Sequence, residues 1–313
     1  MSPVPKEIAQ AGLRALKTVC LAPPSSTLTE LETHFLMGVQ KHILQTNFAL
    51  DSLESITPSE LATIVKAQEF KERIIRACII SACIDGTVGT PEVSQIEQFA
   101  QALNVDMKPV HTAWNLANQN LILARIDIIR KSLPGVKIKQ TFTNEGFLET
   151  VKKFFPLAGI ELPELTAKYK QLFDFPPGTL GKEFTHYIER NRFPLPGQKG
   201  AGPEPIVVHD CLHILGDYGT TATEEIEVAA FQAGCQSNDP MYGVLFGLAQ
   251  YHLDVQVAPV APSQKLQANP EKMIAAFARG CRVKKDMWSD FEPWDYFDKS
   301  VEVLRTEFGI DPK

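Results

Sequence analysis

His209, Asp210, His213 and Glu225 are the residues whose types and spacing are best suited to chemistry. On a helix each residue turns by about 100°. With His209 at zero, Asp210 falls near 100° and His213 near 40°, by the same rule. Two imidazoles and a carboxylate therefore share one arc and can converge on one point. Cys211 falls on the far side, where it packs rather than ligates. Gly216, Asp217 and Gly219 break the helix and let the chain reverse. Thr223 then caps a second helix, so Glu225 lies in its first turn and faces back toward the histidines. Four nitrogen and oxygen donors from two antiparallel helices suit a divalent metal such as zinc, iron, manganese or magnesium. With no fifth protein ligand evident, a water or substrate takes an open position. The bland alternative is a pair of surface or satisfied core histidines. The adjacent Asp and the later Glu weigh against it.

Other constellations are weaker. Glu183-x-x-His186 is a second helical carboxylate–imidazole pair, and with Asp210-x-x-His213 it invites a di-metal reading that lacks two further glutamates. His186 and Asp254 could extend His209-Asp210 toward a phosphohydrolase site, but the compact His-Asp-x-x-His element fits one local site better. Met241 to Leu253 is nearly continuous in apolar side chains. It reads first as a core helix. Its sharper reading is the wall of a tunnel for an apolar tail, with Gly243 and Gly247 leaving room and Tyr242 and Phe246 lining it. His252 reads as a polar end-of-helix residue. The glycine-bearing loop 196–203 is positioned to cover a site and is too irregular for a phosphate loop. Asp85 and Glu92 flank an Asp-Gly turn. A turn residue and a first-turn helix charge explain them better than a cation site.

The elements that must position these groups are helical throughout. A helix over about 27–50 follows a Pro-Pro-Ser-Ser turn. Thr57, Pro58 and Glu60 form a capping-box start to a helix reaching toward Ile84, with a break allowed. Thr90 caps a helix opened by Pro91 and ending near Leu103. Another covers about 107–131, and Leu133-Pro134-Gly135 ends the first block. Further helices are expected at about 145–156, 162–173, 179–191, 204–216, 222–235, 240–255, 271–281 and 294–308. The class is all-α, with two helical domains at 1–135 and 145–313.

Composition narrows the function classes. The chain has 313 residues, 44% hydrophobic and 22% charged, an ordinary globular balance. Lys and Arg number 31 against 37 Asp and Glu. A net charge of −6 argues against a nucleic-acid partner held by counterion release. The six cysteines form no Cys-x-x-Cys pair and read as reduced, mostly buried thiols of a cytoplasmic protein. No apolar run is long enough to span a bilayer. Lys6, Arg14 and Lys17 among Ile8, Leu13, Leu16 and Val19 make a weakly basic amphipathic stretch. It reads as a surface helix, with a membrane-skimming or transit segment as the alternative.

The flanking residues carry a resemblance. Pro177-Gly178-Thr179-Leu180-Gly181-Lys182-Glu183-Phe184, then His209-Asp210-x-x-His213 with eleven residues before Glu225, is similar to the coenzyme Q (ubiquinone) biosynthesis protein four family. So is the tail, with Arg279-Gly280, Trp288, Trp294 and Leu304-Arg305-x-x-Phe308-Gly309-Ile310. The resemblance covers about 150–313. It implies that His209, Asp210, His213 and Glu225 are metal-site residues, usually binding zinc. It also implies a polyprenylated quinone precursor or similar isoprenoid lipid as ligand, and a place at a membrane-associated biosynthetic complex. The activity implied is removal of the ring carboxyl of a polyprenyl hydroxybenzoate, a lyase reaction; the alternative is a non-catalytic scaffold with a structural metal. Peripheral attachment to a membrane surface and a homo-oligomer are compatible with either. One departure stands out: Glu224 occupies the position before the last Glu where the family usually has Gly. An extra carboxylate there could compete for the metal. Residues 30–130, centred on Ala82-Cys83-Ile84-Asp85-Gly86-Thr87-Val88 and Pro91-Glu92, resemble the tellurite-resistance TerB-like helical domain.

Overall fold

Sixteen α-helices and no strand of a sheet make up the computed structural model among the described residues, which are 4–236, 239–259 and 261–313. The all-α class is what the periodicity demands. In chain order the first half holds α1 (Lys6–Cys20), α2 (Glu30–Gly38), α3 (Pro58–Ile64), α4 (Gln68–Ser81), α5 (Thr90–Leu103), α6 (Lys108–Ala117), α7 (Leu121–Lys131) and α8 (Leu133–Glu145). The second half holds α9 (Phe147–Lys152), α10 (Pro163–Lys170), α11 (Leu180–Asn191), α12 (Val207–Gly216), α13 (Ala222–Gly234), α14 (Met241–Tyr251), α15 (Pro270–Gly280) and α16 (Val301–Phe308).

Several starts follow local chemistry. The Thr57 hydroxyl accepts from the Glu60 N–H, and Pro58 opens α3 where no N–H is needed. The Glu60 carboxylate turns instead to Arg14, 2.5 Å away, so the box is only half formed. Thr29 and Glu32 make a complete capping box on α2. Other boundaries differ from the sequence expectation. The stretch 27–50 is helical only from Glu30, and π-helical geometry over Val39–Leu44 ends it at Gln45 in the left-handed region. Thr90 lies inside α5, whose cap is Gly89 without a side-chain bond. Leu133-Pro134-Gly135 opens α8 rather than ending a block, because proline fits a first helical turn. A Cβ at Gly135 would lie 2.3 Å from the Ile129 carbonyl oxygen, so the tight passage from α7 to α8 requires glycine.

The apolar face of α1 is buried: Leu13, Leu16 and Val19 are almost fully enclosed. The N-terminal amphipathic stretch is therefore a packed helix whose membrane-facing alternative has no free face. Asp85 accepts from the Thr87 N–H and hydroxyl, closing a local turn. Five of the six cysteines are buried and all are free thiols.

One continuous cluster of buried apolar side chains runs from Ala11 to Ile310 and spans both expected domains, 1–135 and 145–313. Polar contacts cross the seam as well. Lys41 pairs with Glu271, and Arg76 with Asp239. The buried Tyr242 hydroxyl lies 2.6 Å from Lys131 Nζ and 3.3 Å from the Thr112 hydroxyl. His252, fully buried just after α14, donates from Nε2 to the Ile84 carbonyl and accepts at Nδ1 from the Ala268 N–H. Both ring nitrogens are thus used by a neutral imidazole.

Burial lowers the His252 pKa below 6.5. A histidine depressed in this way favours folding above its unfolded pKa, and that contribution fades as pH falls through the folded value. His252→Ala is expected to cost about 2–4 kcal/mol, from two lost hydrogen bonds and a cavity. It should also flatten the loss of stability below about pH 6.5. Urea unfolding of parent and variant between neutral and mildly acidic pH checks both expectations.

Candidate metal centre

The chain builds the site from α12 and the start of α13. Val207, Val208, Cys211, Leu212 and Leu215 bury one side of α12, which points His209 and His213 the other way. Two arginines from distant helices fix its C-terminal end. Arg279 of α15 donates to the Gly216 carbonyl at 2.7 Å. Arg305 of α16 donates to the Leu215 and Ile214 carbonyls at 3.0 Å each. Cations at the carbonyl end suit the helix dipole and satisfy otherwise orphaned acceptors. Asp217 adopts the left-handed conformation and turns the chain back.

The second helix begins at Thr221, not Thr223. The Thr221 hydroxyl accepts from the Glu224 N–H, while the Thr223 hydroxyl donates to the Gln267 carbonyl. Glu224 is consumed by this turn. Its carboxylate accepts from the Thr221 hydroxyl and the Gly219 N–H, with Lys313 at 3.7 Å. The expected competition from Glu224 for a metal is thus removed by capping. Glu225, next along, faces the histidines as expected.

His209, His213 and Glu225 each offer one ligand atom, and these atoms all lie within 4.8 Å of one another. His213 Nε2 is 3.1 Å from His209 Nε2 and 3.6 Å from Glu225 Oε1. His209 Nε2 is 3.3 Å from Glu225 Oε2. The opposite ring nitrogens are engaged. His213 Nδ1 is 3.0 Å from the Gly219 carbonyl, and His209 Nδ1 is 2.9 Å from Gln232 Oε1. Both partners accept only, so both Nδ1 atoms donate. Neutral rings then aim two Nε2 lone pairs at each other, an arrangement that needs a cation between them. A carboxylate beside two oriented histidines is the donor set of a divalent metal.

The electrostatics agree. Burial disfavours a charged His209, but the hydrogen bond and charge of Glu225 outweigh it and raise its pKa. Burial pushes the Glu225 pKa up, and the bonds to His209 and His213 pull it down further, well below the usual carboxylate range. Without a metal, a proton held at His209 neutralises the pair. A metal takes the place of that proton.

The fourth expected ligand, Asp210, is not in this group. Glu225 approaches beside the two imidazoles, which leaves Asp210 a helical step away. Burial lifts its pKa to about 6, against the pull of the His209 and His213 charges. It contributes negative potential rather than a donor atom within the set. Cys211 is fully buried on the far side, as expected. Glu183 and His186 pair at 3.4 Å on the surface of α11 and do not join the three.

The room expected at Gly243 and Gly247 is taken up by a neighbouring helix. Gly243 and Gly247 face α13: a Cβ on them would lie 2.8 Å from Ala233 Cβ and 3.0 Å from Ala229 Cβ. Their spacing serves close helix packing. Tyr242 is spent on Thr112 and Lys131, and Phe246 is half-buried against the core. A cavity of about 1110 Å³ does occur, but between α1, α2 and α4 on one side and the ends of α13, α14 and α15 on the other. Ile8, Phe35, Phe70, Met241, Val244 and Phe277 help line it; Gly243, Gly247, Tyr242, Phe246 and the three metal-site residues do not.

Gln232 was not apparent in the sequence as a site residue. It lies two turns beyond Glu225 on α13 and is buried, with its backbone carbonyl held by Trp288 Nε1 at 2.8 Å. Its side chain orients His209, and such outer contacts are typically worth 10–100-fold in metal affinity. Gln232→Ala is therefore expected to weaken metal binding by about that factor without abolishing it. Competition against a chromophoric chelator measures this, with unchanged circular dichroism as the control.

Compared with known proteins, the chain matches no family model and no curated protein sequence.

Proposed function

We propose that this chain is a metal-dependent protein of prenylquinone biosynthesis. His209, His213 and Glu225 hold a divalent ion, zinc first, and the ligand is a polyprenylated hydroxybenzoate. The observation that carries the reading is the donor set itself: three nitrogen and oxygen ligands with oriented histidines, two of them partly open to solvent. Three protein donors with an open side are the pattern of a catalytic rather than a structural site. The quoted likeness in 150–313 supplies the substrate class. When bound, the metal supplies Lewis acidity toward a ring carboxylate or phenolate oxygen. The chain's own groups orient that oxygen. His213 is locked by the 218–219 carbonyls, His209 by Gln232, and Glu225 by its place in the first turn of α13.

The separate apolar cavity favours a second reading, a lipid-binding scaffold whose metal is structural. One experiment divides the two. The full chain, loaded with zinc, is incubated with a polyprenyl hydroxybenzoate, and the lipid is analysed by mass spectrometry. Decarboxylated product in the parent, absent in the His209→Ala/His213→Ala variant, supports the enzyme. Lipid retained but unconverted supports the scaffold. Neither retention nor conversion overturns the prenyl-lipid reading.

A further inference from the structure

We infer that Tyr187 is a ligand-binding residue of the metal centre, its phenol donating a hydrogen bond to a carboxylate seated at the open side of the metal. The inference rests on the metal reading of His209, His213 and Glu225 and adds a residue outside their sequence pattern. Tyr187 lies on the inner face of α11 with Leu180, Phe184 and Ile188, all of them buried. That spacing is one stripe of a helix. Packing there asks only for an apolar ring, which Phe184 supplies one turn earlier. Tyr187 instead carries a hydroxyl into the interior, where a polar group without a partner costs free energy. The residue is only 2% exposed. Its hydroxyl makes no hydrogen bond to a described residue, yet it is not one of the sealed, unbonded polar atoms of the fold. The little surface that Tyr187 keeps therefore includes the hydroxyl, which opens onto space that a polar group can enter.

Position says which group. The Tyr187 ring packs against the His213 imidazole, with centroids 5.4 Å apart and planes tilted by 33°. Phe193 meets the same ring edge-on at 5.8 Å. Burial, then the charges of Asp210 and Glu225, push the Tyr187 pKa above the usual phenol range. The hydroxyl thus stands within reach of both carboxylates of the centre and is a protonated donor. Tyr251, the last residue of α14, is a second phenol in the field of Glu225: burial, then that charge, raise its pKa likewise. Three protein donors leave a divalent metal an open position. A carboxylate suits the metal and the phenol at once, one oxygen on each. The phenol bond is then charge-assisted, the stronger kind of hydrogen bond. It also discriminates, because a neutral ligand at the metal gains less from it.

Cobalt(II) in place of zinc gives the full chain a visible spectrum, and titration with benzoate then reads carboxylate entry at the metal. The expected result is a benzoate-dependent spectrum in the parent. Tyr187→Phe should bind benzoate at least about tenfold more weakly, the usual loss for a hydrogen bond to a charged group. Its cobalt affinity should be unchanged, because the ring against His213 is kept. A packing role alone would not move benzoate affinity at constant cobalt affinity. Tyr296→Phe, whose ring stacks on Phe291 at 5.1 Å, is the control and should bind benzoate like the parent. Equal benzoate affinity in Tyr187→Phe and parent overturns the inference. So does a parent that takes cobalt but no benzoate. Loss of cobalt itself from Tyr187→Phe would make the phenol oxygen a metal ligand, and overturns the inference too. A parent that takes up no cobalt overturns the metal reading first, and the role of Tyr187 falls with it.

Discussion

Full-length chain carrying His213→Ala is expected to bind a divalent transition ion about a thousandfold more weakly than the parent, beyond the 10–100-fold typical of an outer contact. His213 is the one ligand side chain with no solvent exposure, and it faces both other ligand atoms. Two donors remain after its loss, too few to displace water from the ion. The Gly219 carbonyl also loses its donor, which adds a stability cost of about 1–3 kcal/mol. His186→Ala, on the exposed side of α11, is the control and should change neither quantity. Equilibrium dialysis against zinc, read with thermal unfolding, separates the metal effect from the stability effect. Equal affinity in His213→Ala and parent would remove His213 from the site.

A fragment beginning at residue 145 is expected to lack a cooperative fold. The division into two helical domains at 1–135 and 145–313 gives the opposite expectation. The contacts across the seam are the ground for this one. Tyr242, Met241, Val244, Ile274 and Phe277 meet helices α1, α2, α4, α6 and α7 across the seam, directly or around the shared cavity. Re-exposing a large apolar side chain forfeits about 1.5–3 kcal/mol. Whole domains are stable by only about 5–15 kcal/mol, so a handful of such losses is enough. His252 would also lose the Ile84 carbonyl. Near-ultraviolet circular dichroism and calorimetry of the fragment measure this. A single sharp transition with parent-like metal affinity would show that the second block stands alone.

The helical class and most helix positions were legible because apolar side chains recur at helical spacing over nearly the whole chain. Caps were legible only where geometry left one choice. Thr57 precedes a proline and caps α3, whereas Thr221 and Thr223 both offer a hydroxyl before α13. Which one caps depends on the reversal at 216–220, where Glu224 also bonds Gly219. The same reversal decides the site. Spacing alone placed His209, Asp210 and His213 in one arc. The direction from which Glu225 arrives then selects the two histidines and leaves Asp210 aside. Gly243 and Gly247 were legible as small residues, but spacing does not tell a tunnel from a close helix contact. Their neighbours Ala229 and Ala233 on α13 settle that. Gln232, Arg279 and Arg305 act across long separations in sequence, so their roles appear only once α12, α13, α15 and α16 meet.

The most direct measurement is X-ray absorption spectroscopy of the full chain loaded with one equivalent of zinc, beside the same sample of the His209→Ala/His213→Ala variant. The account predicts one ion per parent chain, with nitrogen and oxygen scatterers at about 2.0–2.2 Å and an imidazole signature from two histidines. The double variant, still folded, should hold no such ion. Zinc bound through sulfur, or the same two-histidine signature retained in the double variant, would contradict the assignment of His209, His213 and Glu225 as the metal centre.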